Sequence, residues 1–316
     1  MKHYIRASGL LFNQPLLLAP DMLDLGVRWA NQAMNLNIIN LAPGGANLGF
    51  YDDDEAQDRA NLEAERERAA LEATGVQVLP VHGFLVSRSA HINACETMTS
   101  YEGLRQQLRA AIADPLVERI VLDIDTPGGS AVGAFELAAD IRAMSLIKPI
   151  TGIVNFMAYS GGYLIGAACS ELVVSQTSGV GSVGVIASHM ERSKQLETAG
   201  VKVTTVYAGA HKNDLSPNEP LTDQSIRVLN DLVQESYQLF TGAVSVYRGM
   251  SIEAVRATEA GLYRGQAAIA IGFADRLQTP QDAVDDLARA VAQSRMQRQG
   301  SRIGLRASAM NIQANL

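Results

Sequence analysis

The sequence predicts an α/β fold built on one copy of a strand–loop–helix module that repeats twice, and three observations carry that prediction. Short apolar runs rich in β-branched residues, Ile120-Val121-Leu122-Asp123-Ile124, Ile150-Thr151-Gly152-Ile153-Val154 and Leu172-Val173-Val174, have the length and composition of buried strands. Segments with helical spacing separate them. Two of the strand-to-helix junctions carry glycine pairs, Gly128-Gly129 and Gly161-Gly162. In open α/β layers, ligands bind at the carboxyl ends of strands, where these pairs fall.

Composition sets the bounds. The chain has 316 residues, 47% hydrophobic and 19% charged, which supports a sizeable core. A net charge of −7 argues against nucleic acid as the main partner. The two cysteines, Cys95 and Cys169, have neither disulfide-framework nor metal-ligand spacing, so no metal or cofactor is expected and a reducing compartment fits. No run approaches the roughly 18 apolar residues of a membrane span. The apolar piece Leu16-Leu17-Leu18-Ala19 is too short and too interrupted by Pro15 and Pro20 for a signal peptide, so a cytoplasmic protein is expected.

Three regions follow in order. Residues 1–75 form an N-terminal helical extension, with one helix from Asp21 through Asn35, a turn at Pro43-Gly44-Gly45, and a charged linker helix over 52–73 ended by Thr74-Gly75. Residues 76–280 form the main domain. Val76 to Val81 opens it as a strand. A helix spans Tyr101 to Ala113, with Leu104, Leu108, Ala111 and Ile112 inward, and Asp114-Pro115 stops it. Strand 120–124 leads through Asp125-Thr126-Pro127-Gly128-Gly129-Ser130 into a helix from Ala131 to Met144. Strand 149–155 leads through Ser160 into an apolar helix, Leu164 to Cys169. Val201 to Tyr207 reads as a further buried strand, leaving through a loop that holds Lys212. A long helix is capped by Thr222 and runs to Tyr247. Residues 281–316 complete a C-terminal helix from Pro280 to about Gln297, then a loose tail.

Ser160 stands where a strand turns into a helix, with unpaired helix N–H groups behind it. That position suits a nucleophile attacking a carbonyl, and it equally suits a plain N-cap. A serine hydroxyl needs a neighbouring base. None of the five histidines, His3, His82, His91, His189 and His211, lies on a strand end with an evident carboxylate partner, so no Ser-His-Asp triad is read. Lys212 is the other candidate base, its alternative being a solvated loop lysine. The Gly129 and Gly161 N–H groups are candidate oxyanion donors, the alternative for Gly128-Gly129 being a turn and helix start.

Four motifs in order resolve these alternatives by resemblance: Asp125-Thr126-Pro127-Gly128-Gly129-Ser130, Ala158-Tyr159-Ser160-Gly161-Gly162-Tyr163, Gly181-Ser182-Val183-Gly184-Val185-Ile186 and Gly209-Ala210-His211-Lys212. With Tyr247-Arg248-Gly249-Met250-Ser251 and Tyr263-Arg264-Gly265-Gln266-Ala267-Ala268, they resemble the serine peptidases of the signal peptide peptidase A (protease IV) family over roughly residues 76–280. The resemblance implies a Clp/crotonase-like fold with a repeated β-β-α core. It implies Ser160 as nucleophile, Lys212 as general base 52 positions later, Ser182 orienting the lysine amine, and the Gly129 N–H in the oxyanion hole. Tyr159 stands where many members have alanine and is expected to narrow the substrate groove. Members assemble as rings or domes in which the lysine reaches a neighbour's serine, so a homo-oligomer with shared sites is expected.

Within the family, Phe12 to Leu18, Leu85-Val86-Ser87-Arg88 and the segment Asp123 to Gly129 resemble the capsid assembly (prohead) proteases of tailed phages. Those cleave scaffold and portal-associated proteins inside the immature head. Some carry a scaffold-like extension after the protease, which a chain ending at Leu316 is expected to lack. The rival readings are a bacterial signal peptide peptidase without an anchor, another enzyme of the same fold class, and a non-catalytic capsid or scaffold component. A Clp-type peptidase would need a histidine about 25 positions after the serine by family analogy, where Gly184-Val185-Ile186 stands. A hydratase would need acidic groups that Ser160-Gly161-Gly162 does not supply.

Overall fold

The computed structural model describes residues 14–18, 65–88 and 98–314, with side chains to residue 301. The expected helix over 21–35, the turn at 43–45, the first part of the charged helix and Cys95 lie outside these residues.

Strands β1 (Leu16–Leu18), β2 (Val76–Val86), β3 (Met98–Ser100), β4 (Arg119–Ser130), β5 (Ile150–Tyr159), β6 (Glu171–Val174), β7 (Gly179–Gly181), β8 (Leu262–Arg264) and β9 (Arg276–Leu277) join in one sheet. Its main path runs β3-β2-β4-β5-β6-β9, every pair parallel. Parallel neighbours need crossovers, and helices supply them. These are α2 (Tyr101–Ala113) between β3 and β4, α3 (Ala134–Ser145) between β4 and β5, and α4 (Gly161–Ala168) between β5 and β6. This is the expected α/β class with a repeated parallel core. The remaining helices are α1 (residues 65–74), α5 (Ser193–Thr198), α6 (Asp223–Arg248), α7 (Ile252–Arg256), α8 (Gly265–Ala270) and α9 (Pro280–Ala314).

The sheet is covered on both faces, which explains why its central strands read as continuous apolar runs. On one face, Leu104 and Leu108 of α2, Leu137 and Ile141 of α3, Tyr163 to Ala168 of α4 and Phe240 and Val244 of α6 pack on Leu79, Leu122, Ile124 and Val154. On the other, Ala283, Leu287 and Val291 of α9 pack on Val76, Val121, Ile153 and Val173. Packing therefore crosses both expected boundaries, near 75 and 280. Leu71 of α1 enters the main core, and Leu17 joins it from the start of the chain. The C-terminal helix does not stop near Gln297 as expected but continues to Ala314 where a loose tail was anticipated. No proline interrupts residues 281–314, and the composition stays helix-compatible.

Local chemistry sets the ends of these elements. Ser100 caps α2 by accepting the Gly103 N–H at 3.0 Å, and Thr222 caps α6 by accepting the Ser225 N–H at 3.1 Å. The Tyr101 hydroxyl donates to the Ser130 carbonyl at 2.6 Å, tying the start of α2 to the end of β4. Tyr163 stacks on Phe273 with ring centroids 4.6 Å apart, and Tyr263 meets the same ring edge-on.

Arg248 explains one of the downstream motifs. Its guanidinium donates to both Asp275 oxygens at 2.8 and 2.7 Å and to the Gly272 carbonyl at 3.0 Å. Asp275 also accepts the Leu172 N–H at 2.7 Å, so this pair clips α6, β6 and the approach to β9 together. Burial pushes the Asp275 carboxyl up. Arg248 and the Leu172 N–H more than offset that, holding it below the usual carboxylate range. A depressed acid stabilises the fold above its unfolded-state pKa and loses that contribution as pH falls through the folded value. Asp275→Asn is expected to cost about 2 kcal/mol near neutrality, less than for a fully buried pair because solvent reaches the Asp275 side chain. In urea melts, the gap between wild type and variant should close as pH falls below about 4.

Candidate active site

The site grows from the end of β5. After Tyr159 the chain must pass from strand to helix within one residue, and Ser160 takes φ 52° and ψ −114° to do so. Such a backbone costs about 1–3 kcal/mol for a residue with a side chain and persists only where its surroundings impose it. Here they do. The Ser160 N–H donates to the Gly181 carbonyl of β7 at 2.8 Å, and the Ser160 carbonyl accepts the Leu164 N–H at 3.0 Å. The hydroxyl is fully buried and makes no capping bond. Its one hydrogen bond among the described residues is a long one, donated to the Gly184 carbonyl at 3.5 Å. Ser160 thus stands at the N-cap position of α4, but its side chain does not cap the helix.

Thr126 fixes the other wall. Its Oγ1 donates to the Gly83 carbonyl at 2.5 Å and accepts the Gly128 N–H at 3.1 Å. Its methyl lies against Gly162, where a Cβ would come within 2.4 Å of it. Only a glycine there lets the first turn of α4 close onto β4. Sequence reasoning passed over Thr126, although it sits inside the motif that was singled out. The expected loop at Gly128-Gly129 is the last part of β4 itself, paired with Phe84 and Leu85 of β2. The end of β4 meets the start of α4 backbone to backbone: a Cβ on Gly128 would lie 3.0 Å from the Gly161 N, and one on Gly161 would lie 3.5 Å from the Gly129 N. The Gly129 and Gly161 main-chain nitrogens thus come close together next to the Ser160 turn.

Ser182 comes to the same place by sheet pairing. Tyr159 pairs with Gly181, so Ser182 follows beside Ser160. Ser182 also has a positive φ, 55°, and its N–H donates to the Gly261 carbonyl at 3.0 Å. It is buried, and its hydroxyl has no hydrogen-bond partner among the described residues. Tyr159 packs against β7, its hydroxyl 2.3 Å from where a Gly179 Cβ would sit.

Lys212 is not brought to Ser160. It is exposed, its N–H donates to the Gly209 carbonyl at 3.1 Å, and its ammonium makes no hydrogen bond or ion pair among the described residues. Its loop is ordered nonetheless. Asp214 accepts from Gln224 at 2.9 Å and Ser225 at 3.1 Å and pairs with His211 at 2.7 Å, and these contacts, His211 first, lower its carboxyl pKa. The expected buried strand Val201–Tyr207 is corrected: these residues form no strand and are exposed, Val206 at 93%. A strand needs a partner ladder, and within the described residues the sheet offers this segment none. The reading of the histidines is corrected in part. His82 does lie on a strand, β2, and its Nε2 is 2.8 Å from Asp123 on the neighbouring strand β4.

Fold and site together give the class: an α/β protein with a buried serine held on a strand-to-helix turn. Residues 142–294, which include Ser160, Ser182 and Lys212, match Peptidase family S49. Over 286 residues the chain is 35% identical to the capsid assembly protease C of Escherichia phage lambda, covering 88% of this chain and 64% of that protein. Over 301 residues it is 34% identical to the head-tail preconnector protein GP5 of Enterobacteria phage P21, covering 92% and 58%. It is 27% identical over 248 residues to a putative signal peptide peptidase SppA of Enterococcus faecium, covering 77% and 70%. The chain therefore spans about three fifths of the length of the two phage relatives. Among the described residues no helix is long and apolar enough to cross a membrane.

The close approach at Gly162 yields a test. Gly162→Ala is expected to destabilise by about 1–3 kcal/mol by overpacking against the Thr126 methyl. Adding Thr126→Ser, which removes that methyl and keeps the hydroxyl, should recover part of the loss in the denaturant midpoint.

Proposed function

We propose that this protein is a serine endopeptidase in which Ser160 works with Lys212 of a second copy of the chain. The observation that carries the reading is the pairing of a complete half-site with a displaced base. Ser160 and Ser182 are buried side by side with the Gly129 and Gly161 N–H groups near them. Lys212 stands on an ordered loop away from them, preceded by the exposed apolar residues Val201, Val203, Val206 and Tyr207. An exposed apolar run next to a lysine that makes no side-chain contact among the described residues favours assembly as the step that completes the site.

In the proposed reaction, Ser160 Oγ attacks the peptide carbonyl carbon while the Lys212 amine takes the hydroxyl proton. The oxyanion is held by the Gly129 and Gly161 N–H groups, whose positions precede the charge they stabilise. The amide nitrogen leaves with the proton from Lys212, and water then hydrolyses the Ser160 ester. Ser182 accepts from or donates to the lysine amine and orients it, which gives its buried hydroxyl the partner it lacks among the described residues. The similarity to the capsid assembly protease of phage lambda supports scaffold or capsid-associated proteins as substrates. It also supports the host cytoplasm or the immature phage head as the place of action.

Ser160→Ala and Lys212→Ala are each expected to reduce peptide hydrolysis by about 10³-fold or more without changing the circular dichroism spectrum. Mixing the two inactive variants should restore activity, because some assembled sites then hold an intact serine and an intact lysine. No recovery after verified subunit exchange would overturn the shared site. Mass spectrometry of co-expressed capsid and scaffold proteins should show new termini with the wild type that vanish with Ser160→Ala.

A further inference from the structure

The start of the chain runs through the active site. Strand β1 lies antiparallel to the end of β4, with Leu16 opposite Ser130, Leu17 opposite Gly129 and Leu18 opposite Gly128. On its other edge, the Leu16 N–H donates to the Ile186 carbonyl at 2.8 Å and the Ile186 N–H donates to the Leu16 carbonyl at 3.0 Å. The Ala131 N–H donates to the Pro15 carbonyl at 3.3 Å. Leu16, Leu17 and Leu18 are all buried. An extended segment therefore fills the slot between the end of β4 and Ile186, with backbone pairing on both sides. This is how an extended peptide adds to a sheet: main-chain bonds hold it, and alternate side chains enter pockets.

The register is specific. The Leu17 carbonyl oxygen lies 1.9 Å from where a Gly128 Cβ would stand and 3.3 Å from where a Gly161 Cβ would stand. The same Gly128 point is 3.0 Å from the Gly161 N. Of all the carbonyls in the segment, that of Leu17 is the one presented at the junction of β4 and α4, where the Gly129 and Gly161 nitrogens approach each other. Its side chain joins the main hydrophobic core, while Leu16 and Leu18 pack with Phe84 and Ile186 outside it.

We propose that residues 15–18 are an internal mimic of the peptide substrate. They occupy the groove with Leu17 as the residue before the cut, and a peptide must displace them to reach Ser160. The assignment of Leu17 to that position rests on the reading of Ser160 as nucleophile; the occupation of the groove does not.

The probe is the labelled pentapeptide Gln-Pro-Leu-Leu-Leu, a copy of residues 14–18, and the protein is the full chain carrying Ser160→Ala, so that nothing is cleaved. Two further variants empty the groove by different routes: Leu17→Asp places a charge in the apolar pocket, and Leu16→Pro removes the N–H given to Ile186. If the segment fills the groove nine-tenths of the time or more, each should raise the affinity for the pentapeptide by about tenfold or more over the parent. Equal affinity in parent and variants, or no binding by folded variants, would overturn the proposal. A measurement without further substitution guards against unfolding. Amide exchange at Leu16 should be slow in the Ser160→Ala chain and accelerate when excess pentapeptide is added; an unchanged slow rate would mark β1 as a permanent strand and overturn displacement. Binding with this behaviour, alongside a wild type that hydrolyses nothing, would remove the proposed chemistry and leave the groove assignment standing.

Discussion

The backbone of Ser160 is under constraint from three directions, and the site depends on that constraint. The Gly181 carbonyl takes its N–H, the first bond of α4 takes its carbonyl, and Thr126 presses on the glycine two residues later. A positive φ at a serine is unfavourable in isolation, so it survives only because β4, β5 and β7 are already fixed relative to one another. The rigidity comes from the parallel ladder and from the two apolar layers that cover it. Loosening any of these contacts would let Ser160 relax toward an ordinary helix cap, and its hydroxyl would then turn to the helix rather than to a carbonyl.

The same geometry accounts for the glycines on either side. Where β4 ends and α4 begins, two main chains approach more closely than any side chain allows, and this approach brings N–H groups together at one point. In a water-poor pocket such dipoles act on developing charge without having to reorganise. The Leu17 carbonyl at that point shows that the slot accepts an extended backbone, and the bonds to Ile186 and Ala131 show how it is held.

The contrast between the buried serines and the proposed base is physical as well. Ser160, Ser182, Gly129 and Gly161 sit on strands or at the starts of helices that a single chain packs fully. Lys212 belongs to a stretch whose apolar residues find no ladder and no core among the described residues. One half is thus determined by intramolecular packing, and the other is braced only locally, by Asp214 with His211, Gln224 and Ser225.

The periodicity of 101–113, the cap at Thr222 and the apolar runs of β4, β5 and β6 were legible in the sequence, because each depends on local spacing or on burial averaged over a few residues. The strand-to-helix position of Ser160 was legible for the same reason, and so were the glycine pairs. Tertiary structure alone decided whether Ser160 was a cap, because that turns on a backbone angle imposed by residues 21 to 34 positions away. It also decided that 201–207 is not a strand within one chain, that the C-terminal helix closes the second face of the sheet, and that His82 pairs with Asp123 on the neighbouring strand. A strand is defined by its partner and not by its own residues. For that reason Leu16-Leu17-Leu18, a short apolar run in the sequence, could be recognised as a strand only once β4 and Ile186 were seen on either side of it.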